Sequence, residues 1–350
     1  MSSAYAGKKI VITGGTGSFG HTVAEKLLAT GVEQIRILSR DEAKQDAMRH
    51  ELPDPRLKFY VGDVRDFDSV DRAMKNADYV FHAAALKQVP SCEFFPMEAV
   101  RTNIMGSENV VRAAEKNGIS SVVCLSTDKA VYPVNAMGMS KAMMEKIAQS
   151  HGLNNPQADT IVSCVRYGNV MYSRGSVIPL FISQLKAGKS LTVTNPAMTR
   201  FLMSLADSVS LVEFAFANAR QGDLFVKKAA ASTIADLAQA VANLFEAKSE
   251  VNVIGTRHAE KLSEALATRE ELTRAQDMGD YFKVPADNRD LNYSLYFESG
   301  DINQSNYGDY DSHTVEQMTV PEIENLLLTL PEIRRELASA GKTARLVEAQ

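Results

Sequence analysis

The chain has 350 residues, 45% of them hydrophobic and 23% charged, with a formal net charge of −5 at pH 7. At this length roughly 75% of the unfolded surface can be buried, enough for one large domain or two modest ones. No Lys/Arg block of the kind that neutralises a phosphate backbone is present, which argues against a nucleic-acid partner.

The first half alternates short apolar runs with amphipathic stretches. Strands are expected at 8–14, 35–40, 57–64, 79–85, 121–127 and 160–167. Helices are expected at 21–31, 67–77, 102–118 and 141–152, with Gly31, Gly118 and Gly152 as terminators. This alternation predicts an α/β fold, a Rossmann-like doubly wound parallel sheet covered on both faces, with a smaller C-terminal α/β substrate-binding region. The expected boundaries are a dinucleotide-binding domain at 1–170, joined again by 200–225, and a substrate region at 171–199 and 226–350. Past residue 170 the strand–helix rhythm loosens, although 176–193 and 232–245 remain recognisable. The stretch 276–312, rich in Asp, Asn, Gly and Tyr, reads as a long functional loop or as flexible surface. A last helix is expected to begin at Thr319, where Glu322 completes a capping box.

TGGTGSFG (13–20) closes the first strand and opens the first helix. Gly14, Gly17 and Gly20, with Ser18 and Phe19 between them, make a GxxGxxG variant of the dinucleotide fingerprint. The glycines allow a tight turn and a backbone close to a pyrophosphate that sits on the helix N-terminus. An acidic residue at the end of the second strand would hold a ribose 2′-hydroxyl. This chain has Ser39-Arg40 there, with Lys44 one turn on, which favours the 2′-phosphate of NADP; NAD is the other candidate, through Asp41. Asp63 and Val64 end the third strand, where a carboxylate can accept from the adenine amino group. Ala83, Ala84 and Ala85 end the fourth, and their small side chains let the backbone run near the cofactor.

The strings LSRDEAKQ (38–45), HAAALKQVPSCEFFP (82–96), LSTDKAVYPVNAMGMSKAMMEK (125–146), RYGNVMYSRGSVIPLF (166–181), MTRFLMS (198–204) and GTRHAEK (255–261) follow one another along the chain. In this order they resemble the extended short-chain dehydrogenases. Within them the chain is similar to bacterial UDP-N-acetylglucosamine 4,6-dehydratases of the kind that also inverts C5 for polysaccharide biosynthesis. The resemblance covers nearly the whole chain. It implies oxidation at sugar C4 by NADP, removal of the C5 proton, loss of the 6-hydroxyl as water, return of the hydride to C6 and reprotonation of C5 from the opposite face.

By that resemblance Asp128 is the acid at the 6-hydroxyl, Lys129 the base at C5, and Thr127 a hydrogen-bond partner of the C4 oxygen. They follow the fifth strand, where open α/β sheets place their crevice. Lys141 would hold the nicotinamide ribose. Four residues before it, where the wider family has a catalytic tyrosine, stands Met137, as in some members of the dehydratase/5-epimerase subgroup. Met139, Met143 and Ile147 read as the apolar core face of this helix, which would turn Met137 toward the crevice or solvent.

The resemblance assigns substrate binding to Asn169, Arg174, Ser176 and Val177, and to Arg257 and Glu260. Lys87 lies past the fourth strand, where it can face the sugar or diphosphate. It also implies a homo-oligomer, a hexamer among the candidate assemblies, with segment 276–296 across the active site. No His/Cys/Asp cluster has metal-ligand spacing, so no metal is expected. Cys92, Cys124 and Cys164 are odd in number and widely spaced, which favours a reducing compartment. The polar N-terminus and the short apolar runs predict neither a signal peptide nor a membrane span, and so a cytoplasmic protein. Two other readings stay open. A nucleotide-sugar 4-epimerase needs no acid/base couple for C5 and C6; a non-catalytic NADP-sensing protein would leave Asp128 and Lys129 without a task.

Overall fold

The computed structural model describes residues 5–155, 157–173, 175–248, 250–256, 260–286 and 308–342. The first stretch alternates as β1 (Lys9–Thr13), α1 (Ser18–Leu28), β2 (Gln34–Ser39), α2 (Glu42–Glu51), β3 (Leu57–Val61), α3 (Phe67–Met74) and β4 (Tyr79–His82). It continues through α4 (Val89–Phe94), α5 (Pro96–Ala99), a π-helical turn (Val100–Met105), α6 (Gly106–Lys116), β5 (Ser121–Leu125), α7 (Ala136–Asn154) and β6 (Ile161–Arg166). Downstream come β7 (Asn169–Val170), α8 (Val177–Lys186), β8 (Leu191–Val193), β9 (Thr199–Met203), α9 (Leu205–Asn218), β10 (Leu224–Lys227), β11 (Ala231–Thr233) and α10 (Ile234–Leu244). The C-terminal part holds β12 (Val251–Val253), β13 (Ala265–Ala267), α11 (Arg269–Arg274), β14 (Gln276–Asp277), β15 (Tyr281–Val284), β16 (Tyr310–Asp311) and the helices Val320–Leu328 and Pro331–Ser339.

The chain divides into two compact units, one of Met1–Tyr167, Leu205–Lys228 and Ala267–Gly308, the other of Gly168–Ser204, Ala229–Leu266 and Asp309–Gln350. The first unit carries a nine-stranded sheet in the order β14-β15-β10-β6-β5-β4-β1-β2-β3. The pairs from β10 to β3 are parallel, and β15 runs antiparallel to β10. Strands so buried on both faces need apolar runs rather than alternation. One face packs residues such as Ile12, Ile37, Val23, Leu27 and Val212. The other packs Val11, Val80, Val110, Val122 and Met144. The second unit holds the sheet β11-β9-β7, two strand pairs, and a core of Phe181, Leu237, Val241, Ile323 and Leu327.

Three expectations are corrected. Residues 276–284, read as the start of a loop, form β14 and β15 at one end of the large sheet, within the Ala267–Gly308 segment of the first unit. Tyr281 and Val284 are buried there, and the backbone ladder to β10 meets the hydrogen-bonding demand that a loop would leave open. Gly152 does not end a helix: it lies inside α7, where a Cβ would stand 2.0 Å from the Gln221 side chain. The 102–118 segment is a π-helical turn followed by α6 rather than one α-helix. Gly31 and Gly118 adopt φ of +78° and +63°, as helix-ending glycines do, and Thr319 with Glu322 forms the expected capping box.

Candidate active site

Gly14 turns the chain after β1 with φ +67°, and its amide donates to the Leu38 carbonyl at 2.8 Å. A Cβ at Gly14 would lie 2.7 Å from Ala84 Cα, and one at Gly20 would lie 2.5 Å from Gly15 Cα. A side chain at Gly14 would force the β1 turn and the Ala83–Ala84 backbone apart, and one at Gly20 would strike the turn itself. Gly17 caps α1 with no side-chain hydrogen bond, so the first-turn amides of Ser18, Phe19 and Gly20 keep the anion-facing character of a helix N-terminus. The Phe19 ring packs at a tilt against Phe81 and Tyr167, with centroids 5.5 and 5.4 Å away. These residues fit a dinucleotide.

At the end of β2, Ser39 Oγ lies 2.9 Å from Thr16 Oγ1, and the Arg40 side chain is 57% exposed. Asp41 accepts the Lys44 amide as the cap of α2 and pairs with the Lys44 ammonium at 2.7 Å. Those bonds hold its carboxyl below the usual carboxylate range. Asp63 is gripped by Arg65 at 2.7 Å and stands 3.7 Å from Arg40. Val64 is buried, with its carbonyl accepting from Asn109. Lys87 is exposed on the loop before α4.

The loop after β5 carries the acid/base pair. Thr127 Oγ1 donates to Asp128 Oδ1 at 2.7 Å, and Lys129 Nζ donates to the same oxygen at 3.0 Å. Asp128 is 1% exposed, and its Oδ2 is buried without a hydrogen-bond partner among the described residues. The phenol of Tyr167, which sequence reading passed over, feels burial and the Asp128 charge, and both push its pKa up. His82 is a satisfied core histidine. It bonds Thr13 at 2.7 Å and Ser107 at 2.9 Å, and burial pulls its pKa down to about 3.

The α7 helix overturns one expectation. Its buried face is Met137, Lys141, Met144, Glu145 and Ala148, spaced four, three, one and three apart. Met139 and Met143, read as core, are 56% and 50% exposed. The two sets are indeed on opposite sides of the helix, but the inside and outside are exchanged. Met137 faces neither crevice nor solvent; it is 4% exposed and packs with Cys92, Ala99, Leu86 and Val89. Met137→Tyr is therefore expected to overpack this cluster and cost about 1–3 kcal/mol in urea unfolding, whereas Met137→Leu should cost under about 1.5 kcal/mol.

Lys141 is 5% exposed, and its Nζ donates to the Leu125 carbonyl at 2.6 Å. Burial pulls its ammonium down to about 8 from 10.5. Between these values the unfolded chain binds more protons than the folded one, so this group makes stability rise with pH from about 8 to 10.5. Below 8 the full cost of charging the buried amine is present, about 3 kcal/mol. Lys141→Met should abolish that rise, as measured by denaturant titrations at pH 7.5, 9 and 10.5.

The second unit holds a cavity of about 580 Å³, lined among others by Asn169, Ser176, Val177, Thr192, Thr194, Arg200 and Glu260. Asn169 Oδ1 and Ser176 Oγ are buried there without hydrogen-bond partners among the described residues. Ser176 caps α8 without using its side chain, which leaves a helix N-terminus at the cavity wall. Arg200, missed in the sequence, is held by the carbonyls of Thr199 at 2.7 Å and Lys261 at 2.9 Å, with Glu260 at 3.9 Å. The MTRFLMS string carries the family resemblance, but the carbonyl cage that marks Arg200 within it comes from the fold. Arg174 and Arg257 lie outside the described residues, as does 287–296 of the 276–296 segment. Among the described residues no His/Cys/Asp/Glu group could hold a metal, and no helix is long and apolar enough to cross a membrane.

Sheet order and glycine turn define an α/β protein of Rossmann type. The chain belongs to the polysaccharide biosynthesis protein family, whose model matches residues 10–286, with the family's C-terminal model matching 287–334. It is 54% identical over 340 residues to the UDP-glucose 4-epimerase of Rickettsia canadensis (strain McKiel), covering 96% of this chain and 100% of that one. The X-ray structure of Pen from Bacillus thuringiensis matches with TM-score 0.84 and 33% identity over 93% of this chain and 99% of that one. DesIV, a dTDP-glucose 4,6-dehydratase from Streptomyces venezuelae solved with NAD and TYD bound, matches with TM-score 0.66. That likeness, at 22% identity over 73% of this chain and 86% of DesIV, concerns the fold.

Proposed function

We propose that the protein is a nucleotide-sugar-modifying enzyme that converts UDP-N-acetylglucosamine to a 4-keto-6-deoxy sugar with inversion at C5. The observation that carries this reading is the Asp128–Lys129 contact at 3.0 Å, with the second Asp128 oxygen buried and unpartnered. The contact sets a carboxyl and an amine side by side at the loop that follows β5. Those are the acid and base that loss of the 6-hydroxyl and of the C5 proton require. A bound nicotinamide would take the C4 hydride and return it to C6. Thr127 would orient the C4 oxygen. In the second unit Asn169, Ser176, Arg200 and the α8 N-terminus suit a UDP moiety, the amides and guanidinium facing diphosphate.

Support for NADP over NAD comes from exposed Arg40 beside Ser39 and from the engagement of Asp41 as a helix cap. Exposed Met105, Met139 and Met143 on neighbouring helices support self-association, to be measured by light scattering. The three free, buried cysteines fit a reducing compartment such as the cytoplasm.

The name of the 54%-identical relative favours a second reading, inversion at C4 alone. Incubation with UDP-N-acetylglucosamine and with UDP-glucose in D₂O, followed by NMR, separates the two. Deuterium at C5 with a new 6-methyl signal supports the dehydratase. An axial C4 hydroxyl without deuterium at C5 overturns it in favour of the epimerase.

A further inference from the structure

Beneath the acid/base loop the first unit buries a charged triad that the reaction leaves unused. Arg166, at the end of β6, donates from Nε and Nη2 to the two oxygens of Glu145 on α7 at 2.7 and 2.6 Å. From Nη1 and Nη2 it also reaches the two oxygens of Glu271 on α11, at 2.7 and 2.9 Å. Arg166 is 5% exposed and Glu145 3%. Glu145 Oε1 accepts a further bond, from Ser126 Oγ at 2.5 Å, and Ser126 immediately precedes Thr127, Asp128 and Lys129. The residues flanking Arg166 hold the same loop by its backbone, through Ser126 N to Val165 O at 2.8 Å and Asp128 N to Tyr167 O at 3.2 Å. At the far end Glu271 closes a capping box with Thr268.

We propose that Glu145, Arg166 and Glu271 form a positioning clamp. It fixes the Ser126 side chain, and with it the path of the backbone into Asp128 and Lys129, and makes that geometry depend on the α11 helix. Buried ion triads contribute little net stability, because desolvation offsets attraction, and apolar replacements are often as stable. A doubly bidentate guanidinium nevertheless admits one orientation, so its effect falls on placement. The charge that matters is thus carried by residues 19, 40 and 145 positions from Ser126, none of which touches the sugar in this scheme.

The inference rests on Asp128 and Lys129 acting as acid and base, and the test keeps the two apart. Ser126→Ala, Ser126→Thr, Glu271→Gln and the Ser126→Ala/Glu271→Gln double variant are compared with wild type. C5 deuteration of UDP-N-acetylglucosamine, the thermal midpoint, and amide hydrogen exchange of a peptide covering 126–130 are measured for each. Ser126→Ala and Glu271→Gln should each lower kcat for deuteration by about 10–100-fold, as a misplacement near 1 Å does, with KM within about threefold. Each should speed amide exchange of 126–130 about tenfold, and Ser126→Thr should restore both. The double variant should be no worse than the singles, because both cut one chain of contacts. Unchanged exchange at 126–130 in Glu271→Gln, or additive losses, overturns the clamp. Absence of C5 deuterium with wild type overturns the functional reading instead, and the exchange data still decide the clamp.

Discussion

Lys129→Ala should reduce turnover of UDP-N-acetylglucosamine by about 10²–10⁴-fold and leave no deuterium at C5, because no other base reaches that proton in the proposed scheme. Asp128→Asn should lower product formation by a similar factor through a different step. The amide keeps the shape of the carboxyl and a contact to Lys129 but has no proton to give the departing hydroxyl. Its C5 proton should still exchange, so that deuterated, undehydrated sugar accumulates. The Asp128 side chain is 1% exposed with one oxygen unpartnered, and an asparagine there introduces no charge to bury, so folding should survive, as a thermal melt will establish. Retention of full dehydratase turnover in either variant would exclude the pair as acid and base. If both variants keep inverting C4, the epimerase reading is the right one.

Gly138→Ala should lower kcat by about 10²-fold without altering any group that meets substrate. Gly138 lies in the first turn of α7, its amide bonded to the Asn135 side chain that caps the helix at 2.9 Å. A Cβ on it would stand 2.2 Å from the carbonyl oxygen of Lys129 and 3.2 Å from Pro133. The obstacle is backbone, which cannot swing away as a side-chain end can, so the loop must move or the helix must. Either displaces Lys129 relative to Asp128. Overpacking of this kind costs about 1–3 kcal/mol, visible as a lower urea midpoint. A crystal structure of the variant should show the 128–130 turn displaced. Wild-type kcat with an undisturbed loop would remove Gly138 from the positioning scheme.

Both effects pass through a loop whose residues the sequence marks and whose geometry it does not. Asp128, Lys129 and Lys141 stand out in STDK and NAMGMSK by residue type and spacing. Gly138 sits in the same heptapeptide and carries no such mark, because nothing local says that the carbonyl of Lys129 lies against it. Met137 illustrates the opposite case. Helical periodicity correctly separated it from Met139 and Met143, but periodicity alone does not say which side of a helix faces the core. A methionine stripe is apolar enough to suggest the inside, yet Met139 and Met143 are the exposed ones. Asp63 and Lys44 were likewise visible as charges, while their engagement by Arg65 and Asp41 required knowing where those partners lie.

What the sequence determined by itself is what local physics writes into it. The alternation of apolar runs and amphipathic stretches requires strands and helices in a doubly wound order. Glycines at 14 and 17 between β1 and α1, and at 20 in the first turns of α1, allow a tight turn whose backbone fits a pyrophosphate. The capping box at Thr319 starts a helix wherever the chain happens to be. The tertiary structure decided the rest: the inward face of α7, the entry of 276–284 into the large sheet, the carbonyl cage around Arg200, and the clamp under the acid/base loop. Arg166 and Glu271 are 105 residues apart. A contact over that distance is selected by the burial of both groups together, and no window of neighbouring residues contains that information.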